Sequence, residues 1–211
     1  VLYSIITAAA SSTDPIYNNQ NPADVSVTNN NSDVGKYIFV TSATYNGNFS
    51  AYPASGGFAG TTGADGLCNA DAAKPNVSTY KAVIGSYDGG LPDVERDGSG
   101  IALDWALYTT TRYYRAADSL LVGTTDANGL FTFPLTNSFH NAAASYWTGL
   151  TSLYAYSATS SCRPTGTTTI SWNASSTRTG VIGDGLSTIS TSIANGSLAC
   201  GNTLRLLCAE Q

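Results

Sequence analysis

The chain is poor in charged residues and in the side chains that most often carry enzyme chemistry. Asp, Glu, Lys and Arg make up 11% of its 211 residues, and it contains one histidine and no methionine. Nucleic-acid binding requires clusters of Lys and Arg that neutralise phosphates. The nine basic residues are scattered and the net charge is −5, so we expect no nucleic-acid partner. The longest apolar run, at the very start, is too short to span a bilayer, and no transmembrane segment is expected.

The chain also lacks the cysteine spacings of zinc sites and thioredoxin-like sites. None of its four cysteines forms a C-x-x-C pair, although an even number suits disulfides made in an oxidising compartment. A chain without an initiator methionine is typical of a processed protein. We therefore expect an exported protein, extracellular or at the cell surface. Four cysteines can pair in three ways, and spacing alone does not choose among them. They are Cys68, Cys162, Cys200 and Cys208.

What the chain does contain divides it into two parts. Residues 1–10 are largely apolar and predict a strand, and the Asn-, Ser-, Asp- and Pro-rich stretch that follows predicts an extended tether, so that 1–35 forms an N-terminal segment. Residues 36–211 form one domain of fold class α+β, with few helices and many short strands. Its predicted elements are strands at 36–45, 80–86, 145–150 and 203–209, a helix ending at Pro75, a hairpin around Asn128-Gly129, and a helix-to-strand segment at 102–115.

Six short motifs in the second part carry a family resemblance. They are GADGLCNADAAKP, YKAVIGS, LYTTTRYYRAADS, NGLFTFPLTNSF, YWTGL and CGNTLRLLCAEQ, in that order. Together they resemble the C-type-lectin-like fold, specifically its endostatin-like branch, and most closely a family of bacterial, often spirochaetal, surface lipoproteins. The resemblance covers residues 36–211. It implies that the first and last strands of the domain pair at one sheet edge, and that a long-loop region occupies residues 151–199.

The resemblance also implies a disulfide pairing. It joins Cys68 in the first helix to Cys208 in the final strand, and Cys162 to Cys200 across the long-loop region. The first bridge closes a loop of about 140 residues, which the chain-entropy model values at roughly 4–5 kcal/mol. A terminal strand that would otherwise fray is thereby fastened to the domain.

The calcium motifs of sugar-binding C-type lectins are missing. Neither Glu-Pro-Asn, Gln-Pro-Asp nor Trp-Asn-Asp occurs in the long-loop region, which holds a single acid, Asp184. In the segment SWNAS, Trp172 and Asn173 are followed by Ala174 where the motif needs an acid. Calcium needs several hard oxygen ligands, so calcium-dependent sugar binding is not expected. Trp172 is predicted to be a buried anchor beneath the loops.

A second calcium candidate lies in an acidic segment outside the long-loop region. Asp93, Glu95, Asp97 and Asp104 fall on the first, third, fifth and twelfth offsets of a calcium loop. Glu at the third offset, Asp at the twelfth and the lack of a flanking helix pair depart from the pattern. The alternative is a solvated acidic loop ahead of Trp105. No cofactor is otherwise expected.

The sequence contains no coherent catalytic constellation. His140 is the only histidine, the two glutamates are Glu95 and Glu210, and no G-x-S-x-G motif occurs. The cysteines are accounted for as disulfides, which leaves no nucleophile paired with a base. We therefore expect a protein that is not an enzyme.

Two functions from different classes remain. One is a structural subunit of a surface assembly or filament, built by inserting residues 1–10 into the next copy through strand addition. Docking onto its own domain is the alternative for this segment. The other function is an adhesin-like domain that binds a host or matrix protein, or a glycan, through residues 151–199. The predicted assembly residues are Val1, Leu2, Tyr3, Ile5 and Ile6.

Overall fold

A computed structural model of the chain describes residues 2–28, 35–87, 104–165, 170–175 and 177–211. It divides into two compact units, Val1–Val34 and Gly35–Gln211. These are called the N-terminal unit and the C-terminal unit below.

The N-terminal unit is a two-stranded antiparallel sheet. Strand β1 (Leu2–Ile5) pairs with β2 (Val25–Thr28), so that Leu2 lies opposite Thr28 and Ile5 opposite Val25. The predicted strand at the start of the chain is therefore present. The stretch after it was predicted as an extended tether, but it folds back, because its later residues supply the partner strand of β1.

The C-terminal unit is mixed α+β, as predicted, with an open sheet of eight strands. In the residues described, it contains a single α-helix and three short 3₁₀ turns, at Phe49–Ala51, Pro53–Ser55 and Ser190–Ser192. No helix in these residues is long and apolar enough to cross a membrane. In chain order the elements are β3 (Lys36–Val40), α1 (Gly60–Ala70), β4 (Tyr80–Ala82), β5 (Arg112–Arg115), β6 (Leu121–Thr124), β7 (Ser145–Trp147), β8 (Thr179–Asp184), β9 (Ser197–Ala199) and β10 (Arg205–Glu210).

The last strand lies inside the sheet. The strand order is β6-β5-β3-β10-β7-β8-β9, and β4 also pairs with β10. Strand β10 runs antiparallel to β3 and β4 and parallel to β7. The first and last strands of the domain do pair, but not at an edge of the sheet as the resemblance implied, because β5 continues the sheet beyond β3 and β7 continues it beyond β10.

Two apolar clusters pack on opposite faces of β10. Alternate residues of a strand point to opposite faces. Leu207 and Ala209 accordingly belong to one cluster, and Leu206 and Cys208 to the other. The second cluster also contains Leu67 of helix α1, which is fully buried. The helix therefore covers one face of the central strand.

Helix α1 ends earlier than its sequence predicts. The prediction carried the helix to Pro75, but the backbone becomes extended at Asp71. The buried carboxylate of Asp71 accepts hydrogen bonds from the backbone N–H groups of Ser42, at 2.8 Å, and Ala43, at 3.0 Å. These distant partners draw Asp71 out of the helical path and end the helix at Ala70.

Two other segments also depart from their predicted form. The expected hairpin around Asn128-Gly129 has a turn there, but its arms meet in a single bridge between Thr125 and Phe131. A helix was predicted at the start of the segment 102–115, but the described residues there, 104–111, form turns and bends. The strand predicted at the end of the segment is β5.

Candidate functional site

The predicted assembly residues lie in or beside β1. Leu2, Tyr3 and Ile5 belong to the strand and pair with β2 of the same chain. Ile6 follows the strand and is 81% exposed. Val1 lies outside the described residues. The strand thus has a partner in its own N-terminal unit. This arrangement differs from both predictions for the segment, which were insertion into another copy and docking onto its own domain.

Hydrogen bonds hold the returning chain beside the segment that follows β1. The backbone N–H of Thr7 donates to a carboxylate oxygen of Asp24 at 2.9 Å. Farther along, the N–H of Ala10 donates to the carbonyl of Gln20 at 2.9 Å, and the N–H of Asn19 donates to the carbonyl of Ala10 at 2.8 Å. These contacts explain why a Ser- and Asn-rich stretch forms a turn here.

The N-terminal unit exposes several large apolar side chains. A two-stranded sheet is marginally stable by itself, and each strand has one outer edge of main-chain donors and acceptors. More than half of the surface of four large apolar side chains is in solvent: Ile6, Ile16, Tyr17 and Val25. The unit therefore combines apolar side chains with strand edges, the two features from which strand addition is built.

Both disulfides lie in the interior of the C-terminal unit. Cys68 of α1 is bonded to Cys208 of β10, with their Cα atoms 5.8 Å apart. Cys162 is bonded to Cys200, with their Cα atoms 5.6 Å apart. This is the pairing that the resemblance implies, and all four residues are fully buried.

The calcium candidate of the acidic segment falls largely outside the described residues. Asp93, Glu95 and Asp97 lie there, whereas Asp104 is described and forms an ion pair with Lys81. Among the residues that the structure describes, no group of three or more His, Cys, Asp or Glu side chains could hold a metal ion.

Removing calcium is expected to leave the protein's stability unchanged. Adding a chelator should shift the melting temperature by less than about 3 °C, because calcium needs several hard oxygen ligands and the long-loop region holds a single acid, Asp184. Differential scanning calorimetry with and without EDTA measures this directly. A loss of 10 °C or so would instead make Asp93, Glu95 and Asp97 the ligands of a true site.

The lone histidine is packed into the C-terminal unit. Burial lowers the pKa of His140 below its usual value, and the positive charges of Arg205 and Arg115 lower it further. Its main chain is well held, since its N–H donates to the carbonyl of Gly185 at 2.9 Å. His140 therefore stays neutral at physiological pH. The expectation that the chain is not an enzyme stays a prediction.

A polar pocket in the long-loop region is the feature that sequence reasoning missed. It has a volume of about 340 Å³, and none of its lining residues is acidic. It lies near the second disulfide, since the N–H of Asn173 donates to the carbonyl of Cys162 at 3.2 Å. It is called the Arg178 pocket below, and its polar lining residues are Asn48, Thr165, Asn173, Ser175, Thr177 and Arg178.

Two asparagines of the pocket are held together by the backbone and by a shared serine. Asn48 and Asn173 face each other in an antiparallel bridge. The hydroxyl of Ser50 lies 2.8 Å from the Oδ1 atom of Asn48 and 3.1 Å from that of Asn173. Because both amide oxygens face this hydroxyl, both amide NH₂ groups point away from it. The pocket lining thus includes two amide groups whose NH₂ groups can donate to a ligand.

Trp172 supports this arrangement from below. Its side chain is fully buried, which confirms the prediction of an anchor beneath the loops. The indole stacks on Phe49 with a ring-centroid distance of 5.3 Å, and its N–H donates to the carbonyl of Gly85 at 2.8 Å. The backbone N–H of Phe49 in turn donates to the carbonyl of Trp172 at 3.0 Å. The neighbours of Trp172 and Phe49 in the chain, Asn173 and Asn48, are positioned by this packing.

Arg178 supplies the positive charge of the pocket. Its side chain is half-buried, and it forms no hydrogen bond or ion pair with any residue that the structure describes. Arg163 differs, because its guanidinium lies over the ring of Tyr87, 4.2 Å from the centroid. The sequence carries a signal for this charge, because no acidic residue occurs between Asp126 and Asp184.

Comparison with known proteins places the chain in a family without assigning it an activity. None of the curated proteins matches it. The family model described as "Protein of unknown function (DUF1554)" matches residues 51–188, which is more than half of the chain and includes α1, Trp172 and the Arg178 pocket apart from Asn48. The chain therefore belongs to the DUF1554 family.

Proposed function

We propose that this protein is an extracellular structural subunit, with a C-type-lectin-like domain of the endostatin-like branch, that assembles with copies of itself through its N-terminal unit. The observation that carries the proposal is the N-terminal unit's two-stranded sheet, which exposes large apolar side chains next to its strands. The two buried disulfides fit an exported protein, since such bonds persist in oxidising compartments.

The pairing of β1 with β2 refines how assembly would occur. The assembling element is therefore a pair of strands with two outer strand edges, and not a single strand that inserts into another copy. The outer edge of β1 in one copy pairs with the outer edge of β2 in the next. A contact between two different surfaces does not close on itself, so its repetition builds a filament. The exposed side chains, Ile6 and Val25 among them, are removed from water at each such contact.

Replacing Ile6 by aspartate should dissociate the assembly. A charge placed beside β1 would have to be buried without a partner in each contact, which costs several kcal/mol. Light scattering after size exclusion should show a multimer for the unaltered chain and a monomer for Ile6→Asp.

The matched control is Val77→Asp. Val77 is a fully exposed aliphatic residue of the C-terminal unit, so the same charge there should leave the mass of the assembly unchanged. An Ile6→Asp protein with the full mass, or a Val77→Asp protein that also dissociates, would contradict assembly through the N-terminal unit.

A second function is supported by a separate observation. The Arg178 pocket is lined mainly by residues of the 151–199 region, and it presents two amide groups and a guanidinium that pairs with no residue in the described part of the chain. Pockets with a few convergent polar groups are typical ligand sites. We therefore propose, as the alternative, a surface-displayed binding domain that recognises a protein or glycan ligand through this region.

A further inference from the structure

We infer that the Arg178 pocket binds the carboxylate of an acidic monosaccharide unit, such as a uronic acid. This inference rests on the second proposed function, the binding domain, and names its ligand class. It does not depend on assembly through the N-terminal unit.

The donors of the pocket point to an acceptor-rich ligand. The guanidinium of Arg178 can only donate, and the amide NH₂ groups of Asn48 and Asn173 are turned away from Ser50. A guanidinium and a carboxylate match in geometry and form strong, charge-assisted hydrogen bonds. A carboxylate seated against Arg178 would therefore find an ion-pair partner and neighbouring neutral donors.

The local charge favours an anion, although the whole chain is acidic. The net charge is −5, yet the stretch from 127 to 183 contains no Asp or Glu, and its basic side chains include Arg163 and Arg178. A site lined by one sign of charge raises the local concentration of the opposite ion. No acid within this stretch competes for Arg178.

The remaining lining favours a sugar over a bare carboxylate. The hydroxyls of Thr165, Ser175 and Thr177 can donate and accept hydrogen bonds, as sugar hydroxyls require. The volume of about 340 Å³ is at the small end of ligand pockets, which suits a single ring. The main chain at Asn48 and Asn173 is held by their bridge and by the buried Phe49–Trp172 stack, which reduces the backbone ordering that binding requires.

Saturation-transfer NMR on the full chain with glucuronate tests the inference. This method observes the small ligand, so it works whether or not the protein is assembled. Glucuronate should bind saturably in the millimolar range. Its neutral amide, glucuronamide, and glucose should bind at least tenfold more weakly, since they lack the charge. Acetate should also bind at least tenfold more weakly, because it lacks the ring hydroxyls. These comparisons need no variant.

Arg178→Gln provides the test at the residue level. It should weaken glucuronate binding at least tenfold while the far-ultraviolet circular dichroism remains unchanged. The matched control is Arg112→Gln, because Arg112 is exposed on β5 and does not line the pocket; it should bind glucuronate as the unaltered chain does.

The inference is overturned if glucuronamide or acetate binds as well as glucuronate. It is also overturned if folded Arg178→Gln retains binding, or if Arg112→Gln loses as much affinity as Arg178→Gln. The mass of the assembly is a separate readout. If the chain does not bind glucuronate but still assembles, this inference is wrong and the first proposed function is unaffected.

Discussion

Removing the Cys68–Cys208 disulfide is expected to lower the free energy of unfolding by about 5 kcal/mol in the chain-entropy model. The bridge joins residues 140 positions apart, so it restricts a large part of the unfolded chain. Cys208 lies in the central strand, between Phe39 of β3 and Ala82 of β4. Because a domain is stable by only about 5–15 kcal/mol, the double variant Cys68→Ala/Cys208→Ala should be close to unfolding at 37 °C.

The second disulfide provides the matched comparison. Its cysteines are 38 positions apart, and the same model gives a cost of about 4 kcal/mol for Cys162→Ala/Cys200→Ala. Urea unfolding of both double variants at 25 °C measures the two losses. The shorter bridge should cost less. If Cys68→Ala/Cys208→Ala unfolds at the same urea concentration as the unaltered chain, the disulfide does not fasten the terminal strand as proposed.

Replacing Trp172 by alanine is expected to cost about 3–5 kcal/mol, the usual loss for a large buried aromatic side chain. The ring is enclosed by Phe49 and by Trp147, whose centroid lies 5.7 Å away, and its N–H is bonded to the carbonyl of Gly85. Alanine would leave a cavity under the long-loop region and an unsatisfied buried carbonyl.

Trp172→Phe separates these two contributions. It retains an aromatic ring but loses the N–H, so we expect a smaller cost of about 1–3 kcal/mol, mainly from the unpaired carbonyl of Gly85. Urea unfolding again measures both variants. Equal losses for the two substitutions would mean that the hydrogen bond, and not the packing, is what holds this region.

Local sequence patterns correctly predicted the elements whose structure depends on residues close together in the chain. Strand β10 and helix α1 were both predicted, because apolar periodicity reports which face of an element is buried. The end of α1 was not, because it depends on Asp71 bonding to Ser42 and Ala43. Such tertiary contacts leave no local signal.

The candidate sites depended more strongly on distant contacts. The apolar start of the chain predicted a strand that needs a partner, but not that β2 would supply it across a Ser- and Asn-rich turn. The Arg178 pocket could not be assembled from the sequence, because Asn48 and Asn173 meet only through a bridge between distant segments. Its available signal was the absence of acids around Arg163 and Arg178.

Electron microscopy of the chain with and without residues 1–34 tests the central claim most directly. Gly35–Gln211 is a compact unit that contains both disulfides, so removal of the N-terminal unit should leave it folded. We predict filaments or large multimers for the full chain and single particles for the shortened one. If the protein that begins at Gly35 forms the same assemblies as the full chain, assembly through the N-terminal unit is wrong.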